Sequence, residues 1–293
     1  MTDLPPDFVL PVDKPEGPTS HDVVGEARKA LGVKRIGHTG TLDPFASGLL
    51  LLCVGKATRL AEYFSGLDKT YEAVARLGVS TDTLDRDGAV VGGSDGWHGL
   101  TAEGIESVLD PFRGEIKQVP PQFSAKKVDG ERAYQSAREG RAVDLKTCIV
   151  TVGSLEVTSV ELPSVGFRVQ CSSGTYVRAL ARDIGEALHV GAHLTALRRT
   201  AIGGWVVEDA VSFGELGDRS RIARSAVSPL ASVRHLPRVD VGEELAARLA
   251  SGRAISFAEE ARPGPVAVAH AGALVAIGEV VDGMLRPRKV FAA

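Results

Sequence analysis

The chain has 293 residues, 44% hydrophobic and 24% charged, with a formal net charge of −3. At roughly 150 residues per domain, this length accommodates two domains and a full hydrophobic core. Cys53, Cys148 and Cys171 form no CxxC pair, which argues against a disulfide scaffold or a structural zinc site and fits a reducing compartment. The first ten residues, MTDLPPDFVL, have no basic start or long apolar stretch, and the longest apolar run, Leu49 to Val54, is far too short to span a bilayer. A soluble, cytoplasmic protein is expected. Its mild acidity does not point to a nucleic-acid partner, so any RNA surface must be a local basic face.

Along the chain, Phe8 to Val12 reads as a strand. Ser20 reads as an N-cap for a helix from His21 to Leu31, ended by Gly32. Residues 32–48 are glycine-rich and loop-like, and Leu49–Val54 is apolar throughout, the pattern of a strand buried on both faces. Lys56 to Leu67 has helical spacing, Thr70 to Leu77 alternates like a strand, Ser80–Gly88 reads as a polar turn, and a helix is expected between Thr101 and Phe112. Residues 113–146 carry eight Lys or Arg against five Asp or Glu, with little apolar periodicity. Strands are expected at Ile149–Leu162 and Val165–Cys171, then a helix from Thr175 to Leu188. Asp218–Arg238 reads as a linker, and 236–291 as a small β-rich domain. Strands and helices interleaved without a βαβ repeat predict an α+β fold with a mixed, largely antiparallel central sheet.

Three segments could carry chemistry. In Arg35–Gly48 (RIGHTGTLDPFASG), glycines permit close backbone approach, and Asp43-Pro44 sets a turn that presents a carboxylate beside a core strand. In Ser172–Gly185, Arg178 reads either as the partner of a buried carboxylate or as a solvated helix charge. In Lys69–Gly78, Tyr71 reads as strand packing or as a functional aromatic. Other chemistries lack their signatures. Gly55-Lys56 has neither the upstream glycine nor the following Ser/Thr of a phosphate loop, and His189 and His193 have metal-pair spacing but no HExxH glutamate.

Together, and in this order, these segments resemble the bacterial tRNA pseudouridine-55 synthase family. KPEGPTS from Lys14, FRGEI from Phe112, QVPPQFSA from Gln118 and HLTALRR from His193 extend the likeness over residues 8–210. The resemblance implies a catalytic domain over 8–217, in which 113–146 forms an RNA-contacting insertion, and a PUA-like RNA-binding domain over 236–291. It implies that Asp43 is the catalytic aspartate and Arg178 its ion-pair partner. Tyr71 would pack on the target base and handle its C5 proton. His38 would contact the RNA as the uridine leaves the stack, and Tyr176 and Leu197 would touch the substrate. Lys14, Lys126, Lys127, Arg132 and Arg141 would contact RNA. The implied substrate is the T arm of tRNA, with no cofactor, metal or obligatory protein partner, acted on by a monomer. Attack of Asp43 at uracil C6, attack at C1′, and proton removal from C2′ toward a glycal remain open, the family favouring the last. A synthase for another RNA uridine, a tRNA-binding chaperone and a metabolic enzyme unrelated to RNA are the rival readings.

Overall fold

The computed structural model describes residues 4–123, 127–128, 131–132, 145–257 and 264–291. Its strands in chain order are β1 (Phe8–Lys14), β2 (Ile36–His38), β3 (Ser47–Val54), β4 (Lys69–Leu77), β5 (Val79–Thr81), β6 (Val90–Gly93), β7 (Gly114–Gln118), β8 (Lys127–Val128), β9 (Glu131–Arg132), β10 (Cys148–Glu161), β11 (Ser164–Cys171), β12 (Ala192–Ile202), β13 (Trp205–Val206) and β14 (Val211–Ser212). The C-terminal part adds β15 (Arg238–Asp240), β16 (Ile255–Ser256), β17 (Pro265–His270), β18 (Ala273–Val281) and β19 (Met284–Val290).

The central sheet runs β14-β1-β3-β12-β4-β11-β10-β7, with β2 on β3 and β13 on β12. Its β1–β14 and β3–β12 pairs are parallel and the rest antiparallel, giving the mixed α+β sheet expected. The apolar run in β3 has a direct cause. Leu50, Leu52 and Val54 pack toward Val23, Val24 and Ala27 of the helix Ser20–Leu31, while Leu49, Leu51 and Cys53 pack on the other face. A strand covered on both faces needs no polar alternation. In β4, by contrast, Lys69, Tyr71, Ala73, Ala75 and Leu77 are buried and Glu72 and Arg76 are exposed, so one face meets the core.

Several sequence expectations need correction. The first helix is capped by Thr19, not Ser20: Thr19 accepts from the Asp22 amide and the Asp22 carboxylate returns to the Thr19 amide, closing a capping box. Residues 56–67 form a 3-10 turn over Gly55–Leu60 and a short helix Ala61–Ser65. The stretch 113–146 begins with a strand of the central sheet, since β7 pairs with β10 from Gly114 to Gln118. The 218–238 stretch is no free linker. It forms the helices Arg219–Ser225 and Pro229–Ser232, and Val227 bridges to Val9 of β1 through two backbone hydrogen bonds of 2.9 Å. Of the basic residues expected to touch RNA, Lys126 and Arg141 lie outside the described residues. Lys127 and Arg132 are described only as backbone, in the β8–β9 pair.

The C-terminal sheet runs β15-β17-β18-β19-β16 and packs on the helix Glu243–Ala250, which composition did not reveal. One side of it is shared with the central body. Ala267, Leu274, Ile277 and Phe291 lie in one core with Val9, Leu49, Leu51 and Phe64. Among the described residues no helix is long and apolar enough to cross a membrane.

Candidate active site

The residues 39–46 connect β2 to β3 where the sheet forks. The start of β3 (Ser47, Gly48) pairs with β12, and its end (Leu52 to Val54) pairs with β2. Asp43 sits on this loop, whose backbone is tied down from two sides. From the N-terminal side, Gly17 donates its amide to the Pro44 carbonyl at 2.8 Å, and the Ser20 hydroxyl accepts from the Leu42 amide at 2.8 Å. Lys14 donates to the carbonyls of Pro15 and Pro18 at 2.8 Å and of Pro44 at 3.4 Å. From β12, Arg199 donates to the carbonyls of Leu49 (2.7 Å), Gly40 (3.1 Å) and Thr41 (3.5 Å). The loop is therefore held in place from both sides although it carries little secondary structure.

Arg178, in the first turn of the helix Val177–Ala187, reaches this loop. Its Nε stands 2.9 Å from Oδ2 of Asp43, with the Arg178 side chain 5% exposed and that of Asp43 36% exposed. Three further donors of the guanidinium are also used. They reach the carbonyls of Thr83 at 2.7 Å and Phe123 at 2.9 Å, and Oδ2 of Asp85 at 3.3 Å. Asp85 is buried and held by the Thr83 hydroxyl at 2.6 Å and the Asp87 amide at 3.1 Å. Arg178 thus bridges two carboxylates, one sealed and one open. Of the two readings of this arginine from sequence, the solvated helix charge is excluded.

The open carboxylate faces a cleft of about 350 Å³ whose lining includes Asp43, Tyr71, Tyr176, Arg178 and Leu197, together with Lys69 and Arg199. Burial pushes the Asp43 carboxyl above the ordinary carboxylate range. Arg178 opposes this, Asp85 reinforces it, and Lys14 adds a smaller downward pull. Tyr71 is buried in β4 and its phenol is pushed upward by burial, with Arg199 pulling the other way. Tyr176 is fixed through its backbone by Gln118 of β7, whose side-chain amide accepts from the Tyr176 amide at 2.8 Å and donates to its carbonyl at 3.1 Å. His38 ends β2 beside the cleft but does not line it. Burial lowers its pKa, and its Nδ1, like the Thr39 hydroxyl, is buried without a hydrogen-bond partner among the described residues.

Lys14, expected at an RNA-facing surface, is instead completely buried, and burial brings its pKa down to about 8. Its three carbonyl partners make it a brace for the loop rather than an outward contact. His193 gives its Nδ1 to the Val79 carbonyl at 2.8 Å, so a hydrogen bond within the fold occupies that nitrogen. Three residues of the site carry no mark that sequence reasoning picked up. Lys69 stands one pleat from Tyr71 on the same face of β4, an offset of two that could have revealed it. Arg199 lies inside the HLTALRR run. Asp85 comes from a turn with no distinguishing signal.

Comparison with known proteins identifies the family. Residues 28–177 match the TruB family pseudouridylate synthase (N terminal domain), and residues 178–233 the tRNA pseudouridylate synthase B C-terminal domain. The chain is 42% identical over 288 residues to tRNA pseudouridine synthase B of Azoarcus sp. (strain BH72), covering 98% of this chain and 95% of that one. It is 44% identical over 299 residues to the protein of the same name from Thermobifida fusca (strain YX), covering 98% and 99%. Among solved structures, it superposes on an H/ACA RNP bound to a substrate RNA containing 2′-deoxyuridine, with TM-score 0.76 and 28% identity over 98% of this chain and 85% of that one. A Cbf5-Nop10-Gar1 complex gives TM-score 0.74 and 29% identity over 97% and 85%. With the fold and the sequence likeness pointing the same way, the chain belongs to the TruB family of pseudouridylate synthases.

Proposed function

We propose that this protein converts uridine to pseudouridine at position 55 in the T loop of tRNA, acting as a monomer in the cytoplasm. The observation that carries the reading is the Asp43–Arg178 pair, a carboxylate half open to a cleft and held by a buried guanidinium. Forming pseudouridine cleaves the N1–C1′ bond, turns the uracil and rejoins it through C5. No electrons or phosphoryl groups are exchanged with a second substrate, so one ionised carboxylate can carry the covalent or proton-abstracting step. Arg178 keeps that carboxylate charged against the burial that favours its neutral form, and its planar fork fixes the direction of the oxygens.

A uridine inside a folded loop cannot reach such a cleft, so the base must flip out of its stack, with His38 beside the opening the residue assigned to contact the RNA it leaves. Tyr71 then packs on the base and takes the C5 proton, and Tyr176 and Leu197 confine it. The 236–291 region is assigned a PUA-like role in gripping the tRNA, and the basic side chains Lys126, Lys127, Arg132 and Arg141 a role in closing on the T arm, consistent with the phosphate contacts that dominate RNA affinity.

The test is direct. Unmodified tRNA is incubated with the protein, and pseudouridine is mapped by chemical adduct and primer extension. A stop reporting position 55 supports the reading. A stop elsewhere makes the protein a synthase for another uridine, and binding without any stop makes it a chaperone.

A further inference from the structure

The cleft floor holds an unbalanced charge. Lys14, Lys69, Arg178 and Arg199 are buried around it, against the carboxylates Asp43 and Asp85, in a chain whose formal net charge is −3. Arg178 accounts for both carboxylates. Among the described residues, Lys14, Lys69 and Arg199 donate only to backbone carbonyls, and of the three it is Arg199 that pairs across the strands with Tyr71. It is 1% exposed, its bonds to the backbone go to the carbonyls of Gly40, Thr41 and Leu49, and it makes no ion pair among the described residues. A guanidinium sealed away without a counter-charge is costly to the fold. The β12–β4 register sets Arg199 directly opposite Tyr71, and both residues line the cleft.

We propose that Arg199 is a positioning residue for the isomerisation, orienting the phenol of Tyr71 and stabilising the negative charge its oxygen must carry to take the C5 proton. This rests on the assignment of Tyr71 to the target base made above. Once the C5–C1′ bond has formed, the C5–H bond breaks and its electron pair restores the C5–C6 double bond. The C6–N1 π pair moves to N1, which takes a proton from water. The Tyr71 phenolate accepts the C5 proton and later returns it to the hydroxide left behind, so the ring ends neutral and Tyr71 ends as the phenolate it began as. Burial, Cys171 and Asp43 all disfavour the phenolate, whereas Arg199 favours it. A fixed cation aimed at the atom where charge develops is the arrangement that lowers such a barrier.

The experiment uses the full chain and tRNA transcripts carrying uridine or 5-deuterouridine, read as single-turnover rates. Arg199→Gln removes the charge and keeps an amide donor. Arg199→Lys keeps a cation in the core and protects folding if the Gln variant melts. Arg199→Gln is expected to slow the reaction by on the order of 100-fold, with a primary isotope effect at C5 larger than in the wild type, and Arg199→Lys to show the same change in smaller degree. A slower rate with an unchanged isotope effect would reduce Arg199 to a loop brace and overturn the proposal, as would an unchanged rate. Should the wild-type protein form no pseudouridine, the proposed function fails instead, which the unlabelled control shows independently.

Discussion

Asp43 and Arg178 differ in what each gives up to be where it is. Burial holds the Asp43 carboxyl above the ordinary carboxylate range, so the native state binds a proton there more tightly than the unfolded chain does. Above that raised value the ionised carboxylate costs the fold stability. The cost fades as pH falls through the folded-state value and is gone below the unfolded value near ~3.9. Asp43→Asn is therefore expected to abolish turnover and leave tRNA affinity nearly intact, with a melting temperature at neutral pH equal to or above the wild type. That margin should close in acid, as thermal melts across the pH series would show. Measurable turnover by the purified variant would remove Asp43 from the chemistry. Arg178→Lys behaves oppositely. An ammonium cannot span Asp43, Asp85 and the carbonyls of Thr83 and Phe123 together. The expected result is a kcat lower by on the order of 100-fold or more, with little change in tRNA affinity measured by filter binding. A near wild-type kcat would make the ion pair structural only.

At the scale of elements, the seam between β3 and β12 sets the height of the Asp43 loop, and one glycine permits it. Gly48 has φ of +104°, and a Cβ there would lie 2.2 Å from the Arg199 carbonyl oxygen. Gly48→Ala should cost about 2–5 kcal/mol from left-handed strain plus overpacking, read as a lower denaturant midpoint at constant m-value. Gly37→Ala, where the added carbon meets nothing within 4 Å, is the control. An unchanged midpoint for Gly48→Ala would mean that the seam can yield. The strands around this seam are legible because burial writes itself into sequence: β3 is continuously apolar and β4 alternates. The Asp43 loop is legible because glycines and Asp-Pro are local signals. The Asp85 contact is not, since Arg178 and Asp85 are 93 residues apart and nothing in a polar turn shows where it will dock. Lys14 misleads for a related reason. Lysine reads as a surface residue by default, and only the converging carbonyls of Pro15, Pro18 and Pro44 reveal a buried donor.

For the whole molecule, the C-terminal sheet is fused to the body that carries the cleft. Beyond the shared core, Lys289 donates to the Arg59 carbonyl at 2.9 Å and pairs with Glu62, and Arg59 lies 5.7 Å over the Phe291 ring. These contacts fall on the segment Gly55–Ser65, whose last residue lines the cleft and donates from its hydroxyl to the Thr39 carbonyl at 2.8 Å. Deleting residues 236–293 would therefore strip Val9, Leu49 and Phe64 of their cover and confound any effect on RNA. Outward charges give a cleaner test of an RNA grip. Arg253 and Arg286 are exposed, just before β16 and within β19, and those strands pair at Ile255–Leu285. If this surface holds tRNA phosphates, Arg253→Ala with Arg286→Ala should raise KM for full-length tRNA several-fold and flatten its salt dependence, since the salt slope falls by about one unit for each phosphate that is no longer neutralised. The kcat should hold, because neither side chain lines the cleft. If the contact lies outside the T arm, an isolated T-arm hairpin should show no change. An unchanged KM and salt slope for full-length tRNA would remove this surface from RNA binding, and an equal effect on the hairpin would place the contact on the T arm itself.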